Sequence, residues 1–231
     1  SLQAVREAVE HLRSGLPVLV FDSSLRENEV DLVYPAWAVG PEEIYDLRVN
    51  AGGLICFATD SRVTQALGIP WGDELLARYN PLLGRLASRR LGYGDRTAFT
   101  IWVNHVSVRT GISDYDRSLT VRMLDEVVRL FYEGKVEEAR DKFYSEFQAP
   151  GHVPILAARS VKERRGHTEL SVALARIAGL RPSLVFAEVL VKGRSASLEE
   201  AREIAGKRGI PLVRGDEIIE WCERSEVCWN S

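Results

Sequence analysis

Apolar residues fall at helical spacing at Val5, Ala8, Val9 and Leu12, and Gly15 closes the pattern, so a helix is predicted over 2–13. The apolar run at 18–21 reads as a buried strand, and a second strand follows at 32–34. Pro41, with two glutamates behind it, opens a helix that ends near Ala51, where Gly52 and Gly53 break it. A strand over 54–58 and a short helix over 61–67 come next. Between 70 and 96, Leu75, Leu76, Leu82, Leu83, Leu86 and Leu91 suggest helix, interrupted at Pro81 and Gly84, with a turn at 92–95. The clearest strand is 98–108, where Phe99, Ile101 and Val103 share one face and Thr100, Trp102 and Asn104 the other. Helices are predicted over 116–131, 135–147, 169–178 and 216–222. A further helix, 197–208, is opened by a capping box at Ser197 and Glu200. Strands are predicted over 155–158, 183–191 and 212–213. With no linker or repeat between them, these elements predict one domain over 1–231 of the α/β (α+β) class. Its core is a mixed twisted sheet of about six to eight strands between helical layers.

Composition narrows the function without naming it. With 45% hydrophobic and 27% charged residues, the 231-residue chain reads as an ordinary soluble protein. A net charge of -3 and a pI near 5.9 argue against nucleic acid as a partner. The basic clusters at 89–90 and 162–165 sit in mixed-charge surroundings. No apolar run reaches the length of a membrane span, and the charged amphipathic start is unlike a signal peptide, so a cytoplasmic protein is expected. Cys56, Cys222 and Cys228 form neither a disulfide framework nor a zinc knuckle; pairing of Cys222 with Cys228 stays open.

The candidate chemistry begins at 22–31, which holds Asp22, Glu27, Glu29 and Asp31. In an extended backbone the last three share a face. Like charges so placed repel, and a divalent cation with its preference for oxygen ligands would relieve them; a solvated acidic turn is the plain alternative. Arg26 could grip a phosphate or carboxylate with its forked guanidinium. Downstream, His152 follows Pro150 and Gly151. The run 162–168 places three cations before His167, at a predicted helix N-terminus that favours anions, with Gly166 letting the backbone approach a ligand. The alternative there is a solvated basic turn. The loop 110–116 can likewise hold an anion, or simply cap its helix through Ser113, Asp114 or Asp116. Glu188, inside an apolar run, needs a partner, an up-shifted pKa or a ligand. Arg26, Glu27, Glu29, Asp31, His152, Arg164, Arg165, His167, Thr168 and Glu188 together are an inventory for metal-assisted acid–base chemistry on an anionic substrate.

Seven segments carry a resemblance. RENEVD (26–31), GGLICFA (52–58), TAFTIWV (97–103), RTGISDYDR (109–117), PGHV (150–153), RRGHTE (164–169) and AGLRPSLVFAEV (178–189) resemble the 3,4-dihydroxy-2-butanone-4-phosphate synthase family, in that family's order. The resemblance implies conversion of ribulose 5-phosphate to a four-carbon phosphate and formate for riboflavin synthesis, dependence on Mg²⁺ or alternatively Mn²⁺, and a homodimer with its site near the interface. By matched position, Glu27 and His167 resemble metal ligands. Arg26, Glu27, Asp31, Thr110, Arg164, Arg165, Gly166, His167, Thr168 and Glu188 resemble substrate contacts. His152 and Glu188 resemble catalytic residues, and Asp31 is expected to share their proton transfers. Glu29 and Cys56 fall at matched positions near the site. The chain departs from the family pattern in three places. Val30 replaces a frequent Gly, which predicts a stiffer acidic loop; residues 78–96 match nothing; and a shortened interval before His167 leaves open whether Arg164 or Arg165 meets the phosphate. Other readings are another metal-dependent sugar-phosphate isomerase or aldolase, and an RNA- or nucleotide-binding module, against which the low pI counts.

Overall fold

A computed structural model of the protein describes residues 2–89 and 94–229. In chain order it contains α1 (Leu2–Arg13), β1 (Val18–Phe21), β2 (Val30–Pro35), α2 (Pro41–Asp46), β3 (Cys56–Asp60), α3 (Ser61–Ala66), α4 (Gly72–Tyr79), α5 (Pro81–Ala87) and β4 (Phe99–His105). There follow α6 (Asp114–Tyr132), α7 (Val136–Glu146), β5 (Phe147–Ala158), α8 (His167–Ile177), β6 (Ser183–Glu188), the two-residue strands β7 (Leu190–Val191) and β8 (Arg194–Ser195), α9 (Leu198–Arg208), β9 (Leu212–Arg214) and α10 (Gly215–Ser225). Seven strands form one sheet in the order β4-β5-β3-β6-β2-β1-β9. The pairs β3/β5 and β1/β9 are parallel and the rest antiparallel, so the sheet is mixed as expected.

Alternate strand residues feed two cores. Val18, Val20, Val33, Ala58 and Leu184 pack with residues of α1, α8 and α10. Leu19, Leu32, Phe57, Val185 and Ala187 pack with residues of α2, α6, α7 and α9. Burial on both faces is why these strands read in sequence as unbroken apolar runs rather than alternating ones.

Several boundaries differ from expectation, each for a local reason. The helical stretch breaks before Pro81, as expected, with α4 ending at Tyr79 and α5 starting at Pro81, but Gly84 lies inside α5 and does not interrupt it. Asn80 accepts a hydrogen bond from the Leu83 amide at 2.8 Å and caps α5, and Pro81 takes its first turn. The predicted strand 183–191 stops at Glu188, and the chain turns into the β7–β8 hairpin. The predicted strand 155–158 is the end of a twelve-residue strand. Its register on β4 jumps from Val103↔Val153 to Asn104↔Gln148, so 149–152 bulges. Cys222 and Cys228 are joined by a disulfide, whereas Cys56 is free and buried. Leu91, Gly92 and Tyr93, part of the turn and helix expected there, lie outside the described residues. No helix among the described residues is long and apolar enough to cross a membrane.

Candidate active site

The acidic loop is shaped by its own first residue. Asp22, buried at the end of β1, accepts hydrogen bonds from the backbone amides of Glu27 at 2.8 Å and Glu29 at 3.0 Å. Asn28 takes the left-handed conformation, φ 58°, that its short polar side chain tolerates. The carboxylates of Glu27, Glu29 and Asp31 therefore line one pocket through a tied turn, and the extended backbone expected from their alternation is absent. Val30 bears on none of this. It is fully buried at the start of β2 opposite Phe21, and the positive φ lies two residues earlier.

Sheet register supplies the next pair. Asp31 on β2 stands directly opposite Glu188 on β6. Glu188 is held by its backbone carbonyl, which accepts from the Gly53 amide at 2.9 Å. Cys56, on the far side of β6, lines the same pocket; burial and then the Asp31 charge push its thiol up, so it stays protonated.

The first turn of α8 closes the site with His167 and Thr168, both buried. His167 Nε2 lies 3.0 Å from the Glu29 carbonyl oxygen. A carbonyl only accepts, so Nε2 carries a proton, and Nδ1, 3.8 Å from Glu27 Oε2, is the ring nitrogen that offers a lone pair to a cation once its own proton is released. Asp22, Glu27 and His167 each offer one ligand atom, all within 4.8 Å of one another. Carboxylate oxygens with one imidazole nitrogen suit a divalent cation. The residues present thus fit the Mg²⁺ expected, with Glu27 and His167 Nδ1 as ligands and Asp22 beside them.

Two guanidiniums face these acids. Arg26 donates to Asp95 from Nε at 2.9 Å and Nη2 at 2.5 Å; Arg164 pairs with buried Glu169 at 2.5 Å. Both line the pocket and converge over Gly166. A Cβ there would overlap Arg164 Nη1 and lie 3.1 Å from Arg26 Nη1. A side chain at 166 would thus displace the Arg164 guanidinium from Glu169. Arg165 points elsewhere, donating to the Val161 carbonyl at 3.1 Å, and does not line the pocket. The cavity measures about 650 Å³, large enough for a five-carbon phosphate.

His152 and Thr110 do not line this pocket either. They share a partner in Asn104 instead. Asn104 on β4 accepts from the His152 amide at 2.8 Å and donates to the Thr110 carbonyl at 3.3 Å. Gly151 permits this, since a Cβ there would overlap the Val103 backbone. Both residues are exposed, His152 in the bulge of β5 and Thr110 in the loop that follows the edge strand β4.

The electrostatics follow from crowding five acids. Burial raises Asp31 to about 7, with Glu27, Glu188 and Asp22 adding to the rise and His167 opposing it. Burial and hydrogen bonds with Glu27 and Glu188 raise Glu29 to about 9. Burial alone would lower His167, but Asp31, Asp22 and Glu27 outweigh it and its pKa is raised. All three groups hold protons more tightly folded than unfolded. Their contribution to stability is present at low pH and, for Asp31, lost as pH rises from its ordinary 3.8 through about 7. A bound cation replaces the missing protons. Metal-free protein is expected to melt at a lower temperature at pH 8 than at pH 6, with the Mg²⁺-induced rise in melting temperature larger at pH 8. A Mg²⁺ effect that shrinks with rising pH would contradict this assignment of the cluster.

Sequence reasoning missed Asp22, Asp95 and Ser195. Asp22 was counted among the acids but given no task; its signal was a carboxylate at a strand end within reach of the amides that follow. Asp95 lies in the unmatched stretch, and Ser195 carried no signal.

The sequence model describing 3,4-dihydroxy-2-butanone 4-phosphate synthase matches residues 6–221. The chain is 39% identical to the synthase of Methanosarcina acetivorans over 225 residues, covering 94% of this chain and 90% of that protein. It is also 39% identical to that of Archaeoglobus fulgidus, covering 93% and 92%. Among solved structures, a 3,4-dihydroxy-2-butanone 4-phosphate synthase in complex with two magnesium ions superposes with a TM-score of 0.73 at 30% identity, covering 96% of this chain and 98% of that one. The chain belongs to the 3,4-dihydroxy-2-butanone 4-phosphate synthase family, lyases of riboflavin biosynthesis.

Proposed function

We propose that the protein converts D-ribulose 5-phosphate to 3,4-dihydroxy-2-butanone 4-phosphate and formate, using Mg²⁺ or Mn²⁺, and that 1–231 acts as one catalytic domain in a cytoplasmic homodimer without nucleic-acid or membrane partners. One observation carries the reading: Glu27 and His167, far apart in sequence, meet at 3.8 Å between the Asp31–Glu188 pair and two arginines. The bound cation would stabilise negative charge developing on neighbouring sugar oxygens. Glu27 and His167 Nδ1 would hold it. Arg26, Arg164, Thr168 and the α8 N-terminus bind the anionic end of the substrate, the arginines by charge-assisted hydrogen bonds.

Asp31 is poised near neutrality, so it can take a carbon-bound proton and return it at working pH. Glu188 serves the second transfer. Enediol formation, loss of water, migration of a carbon–carbon bond and hydrolytic release of formate leave no net water, and no redox partner is required. His152 and Thr110 join the site from a second copy, since both are exposed together beside the edge strand β4. That edge strand, the following loop and the start of α6 also expose Trp102, Val106, Ile112 and Tyr115, an apolar surface of the kind that pairs subunits. Arg165, turned to Val161, is left with no substrate contact in this reading.

Incubation with ribulose 5-phosphate and Mg²⁺ should release one formate per substrate, and chelation should stop it. Isomerised or cleaved sugar without formate would refute the reading.

A further inference from the structure

Among the described residues, the carboxylate of Glu188 has one donor that is not itself an acid. Ser195 Oγ lies 2.5 Å from Glu188 Oε1 and 3.2 Å from Glu29 Oε1. A hydroxyl has a single proton, and the shorter contact takes it. Ser195 stands on β8, at the end of a hairpin that is firmly seated. The neighbouring Ala196 is buried in the core and its amide donates to the Val189 carbonyl at 2.9 Å. Ser197 caps α9, and Arg194 pairs with Glu200 of that helix at 2.5 Å. The hairpin carries two cations, yet neither is turned to the site: Arg194 is engaged by Glu200, and Lys192 is exposed.

We infer that Ser195 is a positioning residue, its hydroxyl fixing the Glu188 carboxylate for proton transfer. The inference rests on the function proposed above. The choice of a neutral donor has a physical reason. A Lys or Arg at this place would neutralise Glu188 and repel the cation held by Glu27 and His167. A serine fixes the orientation of one oxygen and leaves the charge and the second oxygen available. Without it, Glu188 faces Asp31, Glu27 and Glu29 with only other carboxyl groups to order it, and like charges push it toward solvent.

Ser195→Ala should lower kcat about tenfold, the worth of one hydrogen bond to a charged group, with KM within about twofold because the arginine and metal contacts are untouched. Ser195→Thr, which keeps the hydroxyl, should recover most of the loss. A kcat of Ser195→Ala within twofold of wild type overturns the inference. So does a loss that Ser195→Thr fails to restore in a folded protein, because that assigns it to hairpin packing. A second readout is free of the substrate. In urea unfolding of metal-free protein, Ser195→Ala should lower the midpoint in wild type and have no effect in a Glu188→Ala background. Equal shifts in both backgrounds overturn the contact whatever the enzyme acts on, whereas a wild type that makes no formate overturns only the proposed reaction.

Discussion

Glu188→Gln is expected to cut turnover of ribulose 5-phosphate by about three orders of magnitude, within the range a positioned acid–base group supplies. The substitution is nearly isosteric. Its amide oxygen still accepts from Ser195 Oγ, and its backbone still accepts from Gly53, so the end of β6 keeps its place. An amide cannot take up and return a proton, and that is the property removed. Because Glu188 raises both Glu29 and Asp31, deleting its charge relieves repulsion. The variant should melt no lower than wild type, and metal-free protein should melt higher. Mg²⁺ affinity should stay within a few-fold, since Glu27 and His167 are untouched. Kinetics, a thermal melt and a calorimetric titration on one preparation check all three. Turnover within tenfold of wild type would remove Glu188 from the proton transfers.

The physical conflict at Glu188 was what made it legible. A carboxylate inside an apolar run has to be explained by something outside that run, and the structure supplies Asp31 across the strand pair and Ser195 across the hairpin. The acidic loop was legible for the same reason, since three like charges in alternation have no use in a core. Sheet and layers were readable because both faces of the strands are buried, and each strand then announces itself as a run. What escaped was set by contacts distant in sequence. The Asp31–Glu188 register brings together residues 157 positions apart by subtraction, and no periodicity encodes it. The first part of β5 was hidden by Pro150 and Gly151, which read as loop, yet a bulge accommodates both against β4. Whether Arg164 or Arg165 faces the pocket depends on how the chain enters α8. Glu169 decides it by reaching back to cap the helix while binding Arg164.

Mixing two inactive variants should restore activity. His152→Ala removes a residue that, in the proposed dimer, serves the partner's pocket; Glu188→Gln removes one that serves its own. Each homodimer then has two defective sites. In a mixed dimer one site combines Glu188 of the first chain with His152 of the second and is intact, while the other site carries both defects. Random exchange of subunits makes half the dimers mixed, so about a quarter of all sites should be whole, and turnover should rise from below one per cent to about 25% of wild type. The structural ground is the separation seen here. His152 and Thr110 are tied to each other through Asn104 of the edge strand β4, both exposed, and line no part of the pocket formed by β2, β6 and α8. If His152 acted within its own chain, each mixed dimer would hold one site lacking His152 and one lacking Glu188. Exchange would then recover nothing. Unfolding and refolding the variants together, with separately refolded samples as controls, distinguishes the two arrangements, and sedimentation of the mixture confirms that dimers have formed.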